Sequence, residues 1–269
     1  MAGGTGARSI GLADYTVRKE LAADYAGTLK KVAQIGYSHI GFRLAAMSPQ
    51  DKSEPEAATK AAMVRDAGLS IDTVRISMTM PAEQQIEAAA AMGAKTIAYS
   101  ASPVFFTSGK LGETTREKFD AWLPEFGKLA EQVTTYGLTL AYHNHWWDHK
   151  PLDGETPLAI LARTFSPRTL AFEIDLGWAY LGGQDPLALV RSLGARVVSM
   201  HLKDVDPARG DTMQRQIVAP GEGVMGYDEL IPALDRITTA IGYVEVDEPE
   251  DGIESARRGY ATVTQAREG

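Results

Sequence analysis

Short runs of β-branched and other apolar residues alternate with longer stretches in which apolar positions recur every three or four residues, and this alternation continues along the whole chain. Compact apolar runs read as strands, and stripes of 3.6-residue period read as helices. Strands are predicted at residues 9–13, 39–43, 70–77, 96–100, 138–143, 169–175, 197–201 and 243–246. Residues 17–35 place Leu21, Tyr25, Leu29, Val32 and Ala33 on one helical face, and 115–136 carries a similar stripe. Gly36, Gly93 and Gly137 stand where glycine ends a helix in the left-handed region.

Eight strand–helix pairs of roughly 30 residues fill the chain with no linker between them, which points to a parallel sheet built from βα units. The expected fold is α/β, a single-domain (β/α)8 TIM barrel over residues 9–269, preceded by a disordered lead-in at 1–8. A doubly wound open sheet would need a glycine-rich phosphate loop after its first strand, and Leu12-Ala13-Asp14-Tyr15-Thr16 stands there instead.

Composition narrows the chemistry. The 269 residues match one barrel domain, and 44% of them are hydrophobic. There is no cysteine, so a metal would have to be held by His, Asp and Glu. A net charge of −8 without a basic, aromatic-laced tract argues against nucleic acid as a partner. No apolar run approaches the roughly 18 residues of a membrane span. The first nine residues lack an apolar signal core, so the default expectation is the cytoplasm, with an already trimmed signal left open.

In a barrel, side chains at the C-terminal strand ends converge on one mouth. The fifth strand runs Tyr142-His143-Asn144-His145 at its end, and its period of two puts His143 and His145 on one face. The sixth ends in Glu173-Ile174-Asp175, the seventh in His201-Leu202-Lys203-Asp204, and the eighth in Glu245-Val246-Asp247. His143, Asp175, His201 and Glu245 together supply two imidazoles and two carboxylates, a set suited to one divalent ion. Any one strand-end carboxylate is as readily a helix cap or ion-pair partner. Four ligand-type residues at the matching ends of four late strands, in a chain with five histidines, favour a joint metal site.

Lys203 is read as electrostatic support for a developing oxyanion or as an ion-pair partner, and His145 as a substrate contact or a support for the ligands. Trp146, Trp147 and Trp178 offer flat faces to a sugar ring, or simply pack the loops. His39 reads as a core residue and His149 as a solvated loop residue.

Several segments, taken in order, carry a resemblance. They are Tyr15-Thr16-Val17-Arg18, residues 28–37, Tyr142-His143-Asn144-His145, Asp175-Leu176-Gly177-Trp178, Gly182-Gly183-Gln184-Asp185-Pro186, His201-Leu202-Lys203-Asp204, Gly221-Glu222-Gly223 and Glu245-Val246-Asp247. With these the chain resembles the xylose isomerase-like TIM barrel superfamily over nearly its whole length. That group holds sugar phosphate isomerases and epimerases and the AP endonuclease family 2 type.

The resemblance implies a ligand set of Glu, Asp, His and Glu. Asp175, His201 and Glu245 match the last three, and His143 stands in place of the first glutamate. An imidazole there puts a symmetric two-glutamate epimerisation in doubt. Gly41 stands where the family often has a glutamate, which implies a wider or differently polarised pocket.

The expected activity is that of a metal-dependent sugar isomerase or epimerase using Mn, Co, Zn or Mg. It would abstract the proton next to a carbonyl and pass through an enediolate. Glu245, His145 and Lys203 would be its catalytic residues, and Trp146, Trp178, His145 and Lys203 its substrate contacts. Relatives with His-Asn-His at the fifth strand suggest the alternative of a lyase, eliminating from C1 of 3-keto-glycosides. A non-catalytic sugar-binding barrel and an abasic-site endonuclease are the remaining readings. The expected partner is a small sugar or keto-sugar, and family analogy implies a homo-oligomer.

Overall fold

The computed structural model describes residues 8–44, 57–76 and 81–269. Ten strands lie among them: β1 (Ile10–Ala13), β2 (His39–Arg43), β3 (Thr73–Ile76), β4 (Thr96–Tyr99), β5 (Thr139–His143), β6 (Ala171–Asp175), β7 (Val197–Leu202), β8 (Asp204–Val205), β9 (Ile217–Val218) and β10 (Ile241–Val244). Eight of them close a parallel barrel in the order β1-β10-β7-β6-β5-β4-β3-β2. The fold is the (β/α)8 barrel that the alternating pattern predicts. The antiparallel ribbon β8–β9 was not expected; it rises from the segment after β7.

Helices outside and side chains inside cover both faces of the barrel, so β1, β3, β4 and β6 are buried at every residue. The Tyr243 ring fills part of the interior beside two glycines. A Cβ on Gly11 would come within 2.3 Å of that ring, and one on Gly41 would rest on it at 3.4 Å. At Gly41, expected to make the pocket wider or differently polarised, the neighbouring space is occupied by the Tyr243 ring.

The helix expected over residues 17–35 is interrupted. Asp24 leaves helical geometry (φ −152°, ψ 93°), and its carboxylate caps a second helix, Tyr25–Ile35, by accepting from Gly27 N at 2.9 Å. A side chain that competes for backbone N–H groups breaks a periodicity that the apolar stripe alone would carry through. Helix Arg116–Thr135 is capped by Thr115 and buries Phe119, Trp122, Phe126, Ala130 and Val133 against the barrel. Gly36, Gly93 and Gly137 follow their helices with positive φ, as predicted.

Strand boundaries shift slightly. β3 starts at Thr73 instead of residue 70, and Ser77 lies outside the described residues. β10 ends at Val244, so Glu245 projects from the residue just beyond the strand. Of the proposed lead-in, residues 1–7 lie outside the described residues, whereas Arg8 is tied down by Asp235 at 3.1 Å and the Thr238 carbonyl at 2.5 Å. No helix among the described residues is long and apolar enough to cross a membrane.

Candidate metal and active site

Local hydrogen bonding aims the strand-end residues. β5 stops at His143, and the side chain of the next residue, Asn144, continues its pairing with β6. Its Oδ1 accepts from Asp175 N at 2.9 Å and its Nδ2 donates to Asp175 O at 3.1 Å. This assignment leaves Nδ2 to donate to His149 Nε2 at 3.0 Å, so His149 is a neutral acceptor. His149 is buried, and burial depresses its pKa to about 4; the expectation of a solvated loop residue is corrected. Asn144 was quoted in the sequence without a role, because a side chain that mimics a ladder rung leaves no periodic trace.

Asp175 divides its two oxygens. Oδ1 caps the following helix by accepting from Trp178 N at 2.9 Å. Oδ2 is buried and accepts no aligned hydrogen bond. It lies 3.1 Å from Lys203 Nζ, 3.7 Å from His143 Nε2 and 3.8 Å from His201 Nδ1. His143, Asp175 and His201 offer ligand atoms within 4.8 Å of one another. These three residues can hold a metal ion. Glu245 is not part of that mutually close set, but its Oε2 contacts His201 Nδ1 and lies 3.1 Å from Lys203 Nζ.

Behind the imidazoles stands Glu173, two residues before Asp175 on the same face of β6. Its Oε1 is 3.1 Å from His143 Nδ1, 3.3 Å from His201 Nε2 and 3.0 Å from Arg75 Nη2, while Oε2 accepts from Ser199 Oγ at 2.8 Å. Arg75 Nη2 also lies 2.5 Å from His201 Nε2. Glu173 and Arg75 were not named as site residues. The available signal was a charged residue inside an apolar strand: Arg75 within Thr73-Val74-Arg75-Ile76, and Glu173 in register with Asp175. Carboxylates placed on the far nitrogens of ligand histidines orient the rings and set their tautomers.

The charges follow from burial and pairing. Burial would raise Glu173, but His201 and Arg75 hold it well below the usual carboxylate range. Burial would likewise raise Glu245, and Lys203 and His201 hold it low. Burial would lower Lys203, and the carboxylates of Asp175, Asp247 and Glu245 more than offset that, leaving it firmly charged. Asp247, 2.6 Å from Lys203 Nζ, is pushed up to about 6 by burial. Burial lowers His143 and, together with His143 and Lys203, takes His145 well below its ordinary value. His201 reaches about 9, because Glu245 and Glu173 outweigh its burial.

The aromatic residues gather around His145. The half-buried His145 ring stacks on Trp147 at 4.5 Å and lies 5.1 Å from His143 and 5.9 Å from Trp178. Trp147 and Trp178 are buried, and Trp147 also packs on Phe105 at 5.8 Å, so it belongs to the loop core. Trp146 is half-buried with Lys150 Nζ 4.2 Å from its ring centroid.

The xylose isomerase-like TIM barrel model matches residues 29–263, most of the chain. The chain belongs to that family. Over 165 residues it is 26% identical to inosose dehydratase 1 of Bacillus cereus, covering 53% of this chain and 54% of that protein. It thus spans about half the length of the curated relatives it matches. Among solved structures, a sugar phosphate isomerase/epimerase from Parabacteroides distasonis superposes with a TM-score of 0.78 at 18% identity, covering 98% of this chain and 97% of the other. The IOLI protein with a bound zinc atom superposes with a TM-score of 0.71 at 14% identity, covering 96% of each chain. At these identities the structural likeness speaks for the fold.

Proposed function

We propose that this family member is a divalent-metal-dependent enzyme that removes the proton next to a carbonyl in a sugar-type substrate. The observation that carries this reading is the buried group of His143, Asp175 and His201, with Glu245 and Lys203 against it. The residues fit a metal. Asp175 Oδ2 is a buried carboxylate oxygen without an aligned donor, and the imidazole and carboxylate set is hard or borderline in character. His143, Asp175, His201 and Glu245 would hold the ion, with Mn, Co, Zn and Mg as candidates. When bound, it would polarise the substrate carbonyl and stabilise the enediolate.

The chain's own residues would do the remaining work. Glu245, held ionised by Lys203 and His201, would accept the proton from the carbon beside the carbonyl. His145, kept neutral by burial, would stand as the partner acid or base on the aromatic side. The Lys203 ammonium would offset negative charge as it develops on the substrate oxygens. Trp146 and Trp178 would bear on the C–H faces of the ring.

Return of the proton gives an isomerase or epimerase. Expulsion of a group β to the carbanion gives a lyase, as with 3-keto-glycosides. Two observations favour the lyase as the second reading: His143 replaces one carboxylate of a symmetric acid–base pair, and the Bacillus cereus relative is named a dehydratase.

Elemental analysis before and after chelation tests the centre. About one ion per chain is expected in the wild type, with loss in His143→Ala and Glu245→Ala. A protein that takes up none of Mn, Co, Zn or Mg would sink the mechanism. With metal present, solvent-deuterium exchange beside the carbonyl reads the chemistry directly.

A further inference from the structure

We propose that Asp148 is a positioning residue, whose buried carboxylate fixes the turn after β5 and with it the stance of His145 beside His143. This rests on the function proposed above for what His145 does there, and on separate hydrogen-bond geometry for how it is held.

Asp148 is fully buried. Its Oδ2 accepts from His145 N at 2.7 Å, and its own N donates to the His145 carbonyl at 3.1 Å, so both backbone polar groups of His145 are committed to this one residue. Oδ1 accepts from Tyr142 Oη at 2.7 Å, and Tyr142 lies on β5 immediately before His143. In the segment after β4, Ser102 N donates to Tyr142 Oη at 3.4 Å. One carboxylate thereby ties the turn Trp146–His149 to the strand that carries His143.

The turn has little room to settle elsewhere. A Cβ on Gly112 would come within 2.6 Å of the Trp146 ring, and one on Gly182 within 2.8 Å of the His149 ring. The His145 ring lies nearly parallel to that of Trp147, at 8° between planes, which fixes its tilt. Its centroid stands 5.1 Å from that of His143.

A carboxylate that caps a turn at the surface stays in water, whereas burial pushes Asp148 up to about 7. Tyr142 on β5 and His145 on the turn are the titratable groups that face it; His149 turns to Asn144, and Lys150 to the Trp146 ring. A carboxyl protonated on Oδ1 can give that proton to Tyr142 Oη while Oδ2 still accepts from His145 N, so the turn is held in either charge state. Asparagine supplies the same pair of contacts, which makes Asp148→Asn the conservative variant.

The test uses the metal-loaded protein, with fructose and fructose 6-phosphate as probes of deuterium exchange. Asp148→Ala is expected to keep its metal, to lower kcat by about 10- to 100-fold for whichever probe the wild type exchanges, and to change KM by less than about threefold. Asp148→Asn is expected to recover to within about fivefold of the wild type. In a His145→Gln background the Asp148→Ala change should cost less than about twofold, because a residue that acts through His145 has nothing left to position. An equal loss in both backgrounds, or no loss of kcat, overturns the proposal. If Asp148→Ala does not fold, Tyr142→Phe takes its place, with an expected fall of about threefold to tenfold that likewise vanishes beside His145→Gln.

Heteronuclear NMR of the histidine rings gives a second arm that needs no turnover. The His145 signals, assigned by their absence in His145→Gln, are expected to shift in Asp148→Ala or Tyr142→Phe and to return in Asp148→Asn. Unmoved signals overturn the proposal. A wild type that exchanges neither probe counts against proton abstraction, and the ring signals then decide the positioning by themselves.

Discussion

The early and late strands of the barrel deliver different chemistry to one mouth. Asp14 follows β1 directly and Arg43 ends β2, and the two pair at 2.9 Å. β3 supplies Arg75, which reaches across the barrel to Glu173. The late strands β5, β6, β7 and β10 bring His143, Asp175, His201 and the adjoining Glu245, of which Asp175 keeps an oxygen without an aligned donor. The early side pairs its charges with carboxylates, although Arg43 Nη1 and Arg75 Nε are buried without an acceptor, and through Arg75 it braces Glu173 on the late side. A closed barrel makes this division workable, because a guanidinium on one wall can steady a carboxylate on the opposite wall without occupying the mouth.

The sharpest challenge to the comparison is to remove one residue from each side. Asp175→Ala should abolish metal uptake and reduce turnover by well over ~100-fold, the loss typical of groups that merely support metal ligands. Elemental analysis and exchange kinetics measure both. Arg75→Met should retain measurable metal binding; if it loses metal as completely as Asp175→Ala, the division between the two sides collapses.

Arg75→Met has its larger effect on folding. Glu173 would remain buried without its guanidinium, at a cost of about 3–5 kcal/mol in chemical denaturation. A variant as stable as the wild type would show that Ser199 and the histidines suffice to hold Glu173.

The late side should also leave a signature in pH. His149 accepts from Asn144 only when neutral, and its pKa falls from 6.5 to about 4 on folding. Between those values the unfolded chain binds more protons than the folded one, so stability is lost as pH falls from 6.5 toward about 4. The loss attributable to this residue is on the order of 1–3 kcal/mol. It should be missing from the denaturation profile of His149→Gln, which keeps an acceptor that does not titrate. An unchanged profile would remove His149 from the support of Asp175.

The smallest effect is expected at the rim. Trp146→Leu should raise KM by roughly threefold to tenfold with little change in kcat, as loss of an aromatic face does. A fall in kcat alone would move Trp146 from binding the ring to ordering the loop.

Much of this was legible in the sequence. The recurring strand and helix periods specify a parallel α/β sheet, and eight βα units without a glycine-rich loop after the first strand point to the closed barrel over the doubly wound sheet. The rule that strand ends converge was enough to select His143, Asp175, His201 and Glu245; the barrel groups the first three closely and sets Glu245 against His201. The break at Asp24 was harder to read, because an aspartate inside an apolar stripe looks like a surface residue until its carboxylate is seen accepting from Gly27.

Some residues became intelligible only through their partners. His149 has the composition of a loop residue, and burial beside Asn144 makes it a neutral acceptor. Glu173 and Arg75 are 98 positions apart and meet only because the barrel closes. Asp204 looks like another strand-end carboxylate until four backbone N–H groups are found on it. Residue types and local periods are properties of the chain, so the sequence by itself determined the architecture and the kinds of side chain at the strand ends. Which carboxylate keeps an oxygen open and which is spent on an arginine, a cap or an amide cradle depends on contacts between distant segments. Only the tertiary structure decided that.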